Sequence, residues 1–441
     1  MGSRLKDRYS TERFLYEKRK RKIERRLRRY GVQNGLYGTE QEQLLPSRII
    51  SLFQERNRLQ IDGKLRKQSV TIPKKFSVIE NPTGFIDALK AVAVVSRSSS
   101  VSELSFDYSK TVQIDLAAES ILGCITREVE SELDVNNRKL RQVGGLYPDR
   151  KYLKNIIRSL GTIKHLKIKH ELIEEGDSEL LKIFEASRGV KVSTLGTDME
   201  DKKTKTILKF VEHINECLKS NGRELSEVGR EFLFKSTGEV IGNAEDHTDQ
   251  GEWTICGFLD NEAEGHTCEI AIFNFGRSIA ESFTSLSPED YARTQIQDVL
   301  LLHARKRFHG RYWQQDDLYT LLALQENISS KNKSQYDNHG TGTMDLINYF
   351  YELCGECDSN NKNSAKMAIL SGSTHILFDG KYEVFRDQHQ AQRITFNAEK
   401  SLEVPPDRAY VKHLRKHYFP GTIISIKIPM DSVSHKEESH D

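Results

Sequence analysis

Long apolar runs are missing from this 441-residue chain, and none approaches the roughly 20 residues that span a bilayer. The basic N-terminus has no apolar core of the kind that marks a secretory signal. Cysteine is sparse and scattered, at 124, 217, 256, 268, 354 and 357. That excludes a dense disulfide framework, and a cytoplasmic protein with reduced thiols is expected. Structural zinc needs four ligands, and the single CxxC, Cys354 to Cys357, has neither a second CxxC nor an HxxxH to complete it. A charge excess is missing too: 66 Lys and Arg against 64 Asp and Glu leave +2, so only local imbalance can speak of partners. No internal repeat is visible.

The charge that is present is unevenly placed. From Arg4 to Arg29 there are thirteen Lys or Arg and four Asp or Glu, a local net of 13 − 4 = +9. Phe14, Leu15, Ile23 and Leu27 give this stretch a thin apolar seam. It reads as a solvated or partner-docked helix, or as a contact for nucleic acid or another polyanion through residues 1–31, although no aromatics are arranged to stack bases. The length predicts several domains. They are expected to be a basic helical arm over 1–68, a small α/β domain over 69–195, a larger α/β domain over 196–432 and a disordered tail over 433–441.

In the small domain, "GFIDALKAVAVV" has helical spacing, and "SELSFDYS" has strand alternation at Leu104, Phe106 and Tyr108. "TVQIDLAAESILGCITREVE" again has helical spacing, from Ile114 to Val129. This order resembles the STAS-like folds of bacterial anti-sigma antagonists, in pattern only. In the larger domain helices are predicted over Ile207–Leu218 and Ser226–His247. Strands are predicted at "EWTICGFL", "CEIAIFNFG", "KMAILSGS", "HILF", "YEVF" and "TIISIKIP". Trp253 and Trp313 read as packing residues, and His303 and His309 as surface residues of a basic helix.

Four pieces of the larger domain point to one chemistry. In "GEVIGNAEDHTD", Glu239, Asn243, Asp246 and His247 fall where a buried helix usually shows Leu or Ile. A carboxylate one turn before a carboxamide can hold a water with one group and a divalent ion with the other, and Mg²⁺ prefers such oxygen ligands. "IFNFGRSI" ends a strand with Asn274, which both accepts and donates, and with Gly276, which lets a flat ligand approach the backbone. "NHGTGTMDL" places Gly340 and Gly342 before a helix, where backbone N–H groups can bind phosphate. "PGTIISIKIP" opens a strand with Gly421 and Thr422, whose hydroxyl can contact the same phosphates.

In this order the pieces resemble the GHKL ATPases, the superfamily of gyrase, a heat-shock chaperone, histidine kinases and MutL. "EVIGNAEDH" is similar to their N-box, "NFGRSI" and "HGTGTMDL" to their glycine boxes, over roughly 200–432. The resemblance implies a Bergerat fold, a two-layer α/β sandwich of a mixed sheet with helices on one face. It also implies ATP and Mg²⁺ as cofactors. Glu239 would be catalytic, orienting or activating the attacking water, and Asn243 would ligate Mg²⁺. Asp246, Asn274, Gly276, Lys331, Gly340, Thr341, Gly342, Thr343 and Thr422 would contact ATP, and residues 280–337 would form the lid.

The chain departs from the family in two places: Asn274 stands where the first box usually begins with Asp, and Ser278 replaces its second glycine. The N-box also reads E-x-x-x-N-A-x-x-H, which resembles the anti-sigma-factor serine kinases. A histidine kinase is not expected, because His170-Glu171 has no proline following. The implied function is a conformational switch driven by ATP binding and slow hydrolysis, relayed to the N-terminal domain, a protein partner or a homodimer. The alternatives are a Ser/Thr protein kinase and a nucleotide-gated binding module without turnover. Bacterial signalling, DNA maintenance and phage defence all use such modules.

Overall fold

The computed structural model describes residues 49–57, 66–97, 101–135, 142–159, 161–162, 181–188, 198–247, 252–261, 267–306, 313–334, 336, 340–357 and 365–430. By its internal contacts the chain divides into units 1–45 and 46–441. The basic stretch 1–31 of the expected arm, 1–68, and the expected tail, 433–441, lie outside the described residues, as do His309 and the side chains of Cys354 and Cys357.

The described fold is mixed α/β, with ten helices around a seven-stranded sheet. Its strands are β6 (Leu181–Arg188), β7 (Trp253–Asp260), β8 (Thr267–Phe275), β9 (Lys366–Gly372), β10 (Thr374–Phe378), β13 (Val411–His413) and β14 (Phe419–Pro429). The order across the sheet is β13-β10-β9-β14-β8-β7-β6. Every neighbouring pair is antiparallel, where a mixed sheet was expected. Connectivity explains this. Two helices, α5 (Asp198–Lys219) and α6 (Glu227–His247), lie between β6 and β7; going out and back, they return the chain to the same end of the sheet, so β7 runs opposite to β6. β8 and β9 point the same way, but β14 enters between them, antiparallel to both. β6 belongs to the segment expected to be the small α/β domain, yet it is the edge strand of this sheet.

β8 and β14 are buried along almost their whole length, as central strands covered on both faces must be. On β8, Cys268, Ile270 and Ile272 join one apolar core, while Ala271, Phe273 and Phe275 join another. The first core lies under α5, α6 and four later helices: α7 (Ile279–Thr284), α8 (Tyr291–Arg305), α9 (Gln315–Leu322) and α10 (Gly342–Cys357). The second lies under α1 (Ile49–Asn57), α2 (Pro82–Arg97), α3 (Leu116–Val135) and α4 (Lys151–Ser159). Helices therefore cover both faces, not one. With them go two small parallel sheets, β1 (Lys67–Thr71) with β3 (Glu103–Asp107) and β5 (Gln142–Leu146), and β2 (Lys75–Phe76) with β4 (Gln113–Ile114). Among the described residues, no helix is long and apolar enough to cross a membrane.

The expected lid, 280–337, contributes side chains to the first core. Its own Phe283, Ile296, Leu300, Leu318 and Tyr319 are buried, because apolar residues at helical spacing are driven from water. His303, expected at the surface, is fully buried on α8 and hydrogen-bonds the Leu402 carbonyl through Nε2 at 2.8 Å. Trp253 and Trp313 are buried packing residues.

The helical layer behind the sheet is fastened by charge. Glu269 of β8 is 1% exposed. It accepts from the backbone N–H of Leu116, the first residue of α3, at 2.7 Å, from Lys427 Nζ at 2.8 Å and from the Tyr152 hydroxyl. Asp115 caps the same helix by accepting from Ala118 N, and it also accepts from Ser77 Oγ and Ile79 N. Burial, and then the charge on Glu269, raise the Asp115 carboxyl from 3.8 to about 6. Between about pH 4 and 6 the folded chain holds a proton that the unfolded chain has released. Asp115 therefore contributes stability that is full below about pH 4 and is lost as pH rises through 6, up to about 3 kcal/mol. Asp115→Asn should flatten this part of the profile despite an overall loss from the poorer cap. Urea midpoints of both proteins across pH 4 to 7 check it; parallel profiles would contradict the assignment.

Candidate functional site

Alternation along three strands builds the site. On the face carrying the first core, β8 runs Ile270, Ile272, Asn274; β14 runs Ile428, Ile426, Ile424, Thr422; β9 runs Met367, Ile369, Ser371. Each apolar stripe ends in a polar side chain, and the register sets the three abreast, with Thr422 opposite both Asn274 and Ser371. The hydroxyls of Thr422 and Ser371 are 2.8 Å apart. Ser371 Oγ also accepts from Ile279 N at 2.9 Å, which ties the row to the start of α7.

Asn274 and Thr422 of this row form part of the floor of a cleft with about 840 Å³ of empty space, its open mouth and adjoining solvent included. Val240, Ile279, Phe283, Leu324 and Ile328 contribute apolar wall. Asn243, Asn274, Arg277, Gly340, Thr343 and Thr422 contribute polar groups. The lining comes from α6, β8, α7, the loop after α9, the start of α10, β9 and β14, segments far apart in the chain. An apolar slot with a few convergent polar groups is the usual form of a small-molecule site.

Asn274 is 6% exposed and lines the cleft, and among the described residues its carboxamide has no hydrogen-bond partner. Asn243 Oδ1 accepts from Lys331 Nζ at 3.1 Å, so an ammonium rests on the oxygen expected to meet a cation. Glu239 is exposed and does not line the cleft; it packs against the first turn of α10. Burial, then the charges of Glu326 and Glu239, push the Asp345 carboxyl of that turn up. Gly276 is buried, and its N–H donates to the Pro420 carbonyl at 3.1 Å. The Thr341 carbonyl accepts from Asp345 N at 2.8 Å; neither Thr341 nor Gly342 lines the cleft. The side chain of Asp246 lies outside the described residues.

Two glycines are dictated by geometry. Gly340 has φ +101°, and a Cβ there would approach the Ile328 carbonyl oxygen to 2.6 Å. At 342 a Cβ would sit 2.1 Å from that of Glu239, so α10 can meet α6 only through glycine.

Sequence reasoning missed Arg277, Ser329 and Ser330 in the lining, and Ser371 behind it. Arg277 stood inside the quoted "NFGRSI" and carried a signal; the two serines of the loop after α9 carried none. No family model, curated protein or solved structure matches this chain.

Gly342→Ala should force α10 away from α6 and cost roughly 1–3 kcal/mol, the usual range for overpacking. Gly144→Ala, where nothing lies within 4 Å of the added carbon, is the matched control. Thermal melts of both variants check this; equal shifts would contradict the contact.

Proposed function

We propose that the cleft binds Mg-ATP as a GHKL-type nucleotide site, and that the chain is an ATP-driven switch of that superfamily, with the Bergerat arrangement of its core. The observation carrying this reading is convergence. Asn243, Asn274, Gly340, Thr343 and Thr422 were singled out on separate motifs, and they line one cleft.

In this reading the base lies between apolar walls and meets Asn274 and Thr422 on the floor. The triphosphate extends toward Gly340, Thr343 and the N-terminus of α10, where unpaired backbone N–H groups and the helix dipole favour an anion. Arg277 and Lys331 offset its charge. The donor set fits Mg²⁺ as a partner of phosphates rather than a caged ion. Among the described residues no group of three His, Cys, Asp or Glu is gathered to hold a metal. Asn243 supplies one oxygen, and that oxygen already attracts the cationic Lys331. Bound there, Mg²⁺ would supply charge compensation for the phosphate oxygens. Glu239, exposed beside the first turn of α10, takes the proton of the attacking water. Gly342 keeps that carboxylate close to the phosphate end.

β8 supports a relay. It carries Asn274 at the cleft and, five residues earlier, Glu269, which holds the first residue of α3 in the layer behind. A shift of β8 on nucleotide binding therefore reaches that layer directly. A homodimer or protein partner would read it there, in the cytoplasm.

γ-Phosphate-labelled ATP tests the reaction. Label released to solution supports the ATPase; label on protein makes this a Ser/Thr kinase; unconverted but bound ATP makes it a binding module. Glu239→Gln should retain binding and lose turnover by roughly 10²–10⁴, the range for a positioned base. Asn243→Ala should instead lose Mg-dependent affinity, checked by calorimetry with and without Mg²⁺. Full turnover in Glu239→Gln would remove Glu239 from the reaction.

A further inference from the structure

Asn274 is 6% exposed and lines the cleft, and among the described residues its carboxamide makes no hydrogen bond. A carboxamide that opens onto a cleft with no protein partner is available to a ligand's polar edge. Its chemistry differs from that of a carboxylate in one respect. A carboxylate only accepts. A carboxamide offers an acceptor and a donor side by side, and half a turn about its last bond exchanges them. A 6-aminopurine presents a donor at N6 and an acceptor at N1. A 6-oxopurine presents the reverse, an acceptor at O6 and a donor at N1–H. The carboxamide in one orientation matches the first edge, and turned over it matches the second.

What would normally fix the orientation is a protein hydrogen bond, and Asn274 has none among the described residues. Its neighbour on the floor is equally reversible. Ser371 Oγ has one proton and two acceptors within reach, the Gly421 carbonyl at 3.2 Å and Thr422 Oγ1 at 2.8 Å. When that proton goes to Gly421, Thr422 donates to Ser371 and turns lone pairs toward the cleft. When it goes to Thr422, the Thr422 proton is left to donate to the ligand.

We infer that the cleft accepts purine nucleoside triphosphates carrying either a 6-amino or a 6-oxo group, with Asn274 as the residue that sets this breadth. The inference rests on the nucleotide-site reading above and narrows it to a substrate class. Selectivity against a wrong edge comes from leaving polar groups unpaired or facing like dipoles, and a floor whose groups both reverse imposes neither.

The test is calorimetric titration of the full chain with Mg-ATP and Mg-ITP. ITP presents the 6-oxo edge without a 2-amino group, so pocket size does not enter. The two affinities should agree within about tenfold. Asn274→Asp keeps the shape but can only accept; it should weaken ITP at least tenfold relative to ATP, because O6 would then face a carboxylate. A wild-type preference for ATP above tenfold overturns the inference while leaving the nucleotide site standing. An unchanged ATP-to-ITP ratio in Asn274→Asp overturns the role of Asn274. If neither nucleotide binds, the inference and the reading beneath it fall together. The wild-type ratio decides even where the variant does not fold.

Discussion

The entry of β14 between β8 and β9 is the constraint on which the rest depends. It makes the large sheet antiparallel throughout, and its register brings Thr422 abreast of Asn274 and Ser371. A slip by one residue would turn Ile424, Ile426 and Ile428 to the opposite face and bury lysine and serine in the helical core. The same apolar alternation that fixes the sheet therefore fixes the polar row. Stability and site share one cause, and the site is the place where the stripes of isoleucine stop.

Much of this was legible locally. β7, β8 and β14 are rich in apolar residues, and the Glu239 and Asn243 stripe stood out because polar residues occupy a face that packing normally claims. What was not legible was long-range. Nothing within "TIISIKIP" says which strands it will separate, so the expected mixed sheet became antiparallel. The helical layer behind the sheet was read as a separate small domain, since its residues are periodic in their own right. Only the buried outward faces of β8, at Ala271, Phe273 and Phe275, show that the layer has a platform. β6 went unread because an edge strand alternates weakly; its residues are mostly half-buried or exposed. Residues 280–337 were expected to be a lid from the resemblance alone, and the side chains that several of them bury were not read from the sequence.

Charge plays two distinct parts around this sheet. Behind it, buried Glu269 is paired with half-buried Lys427, and its charge helps to raise the buried carboxyl of Asp115; losing one member of the ion pair is more harmful than replacing both. In front of it, Arg277 and Asn243 line the cleft, Lys331 donates to Asn243, and Glu239 lies exposed against α10. The two groups are joined by β8. Cleft occupancy and the grip on α3 are in this way properties of one strand.

The most direct measurement is a crystal structure of the full chain with Mg²⁺ and a non-hydrolysable ATP analogue. A GHKL-type site predicts the purine edge on Asn274 and Thr422, the phosphates over Gly340 and Thr343, and Asn243 Oδ1 released from Lys331 to the metal. A nucleotide bound elsewhere, or a cleft left empty at saturating analogue, would contradict it.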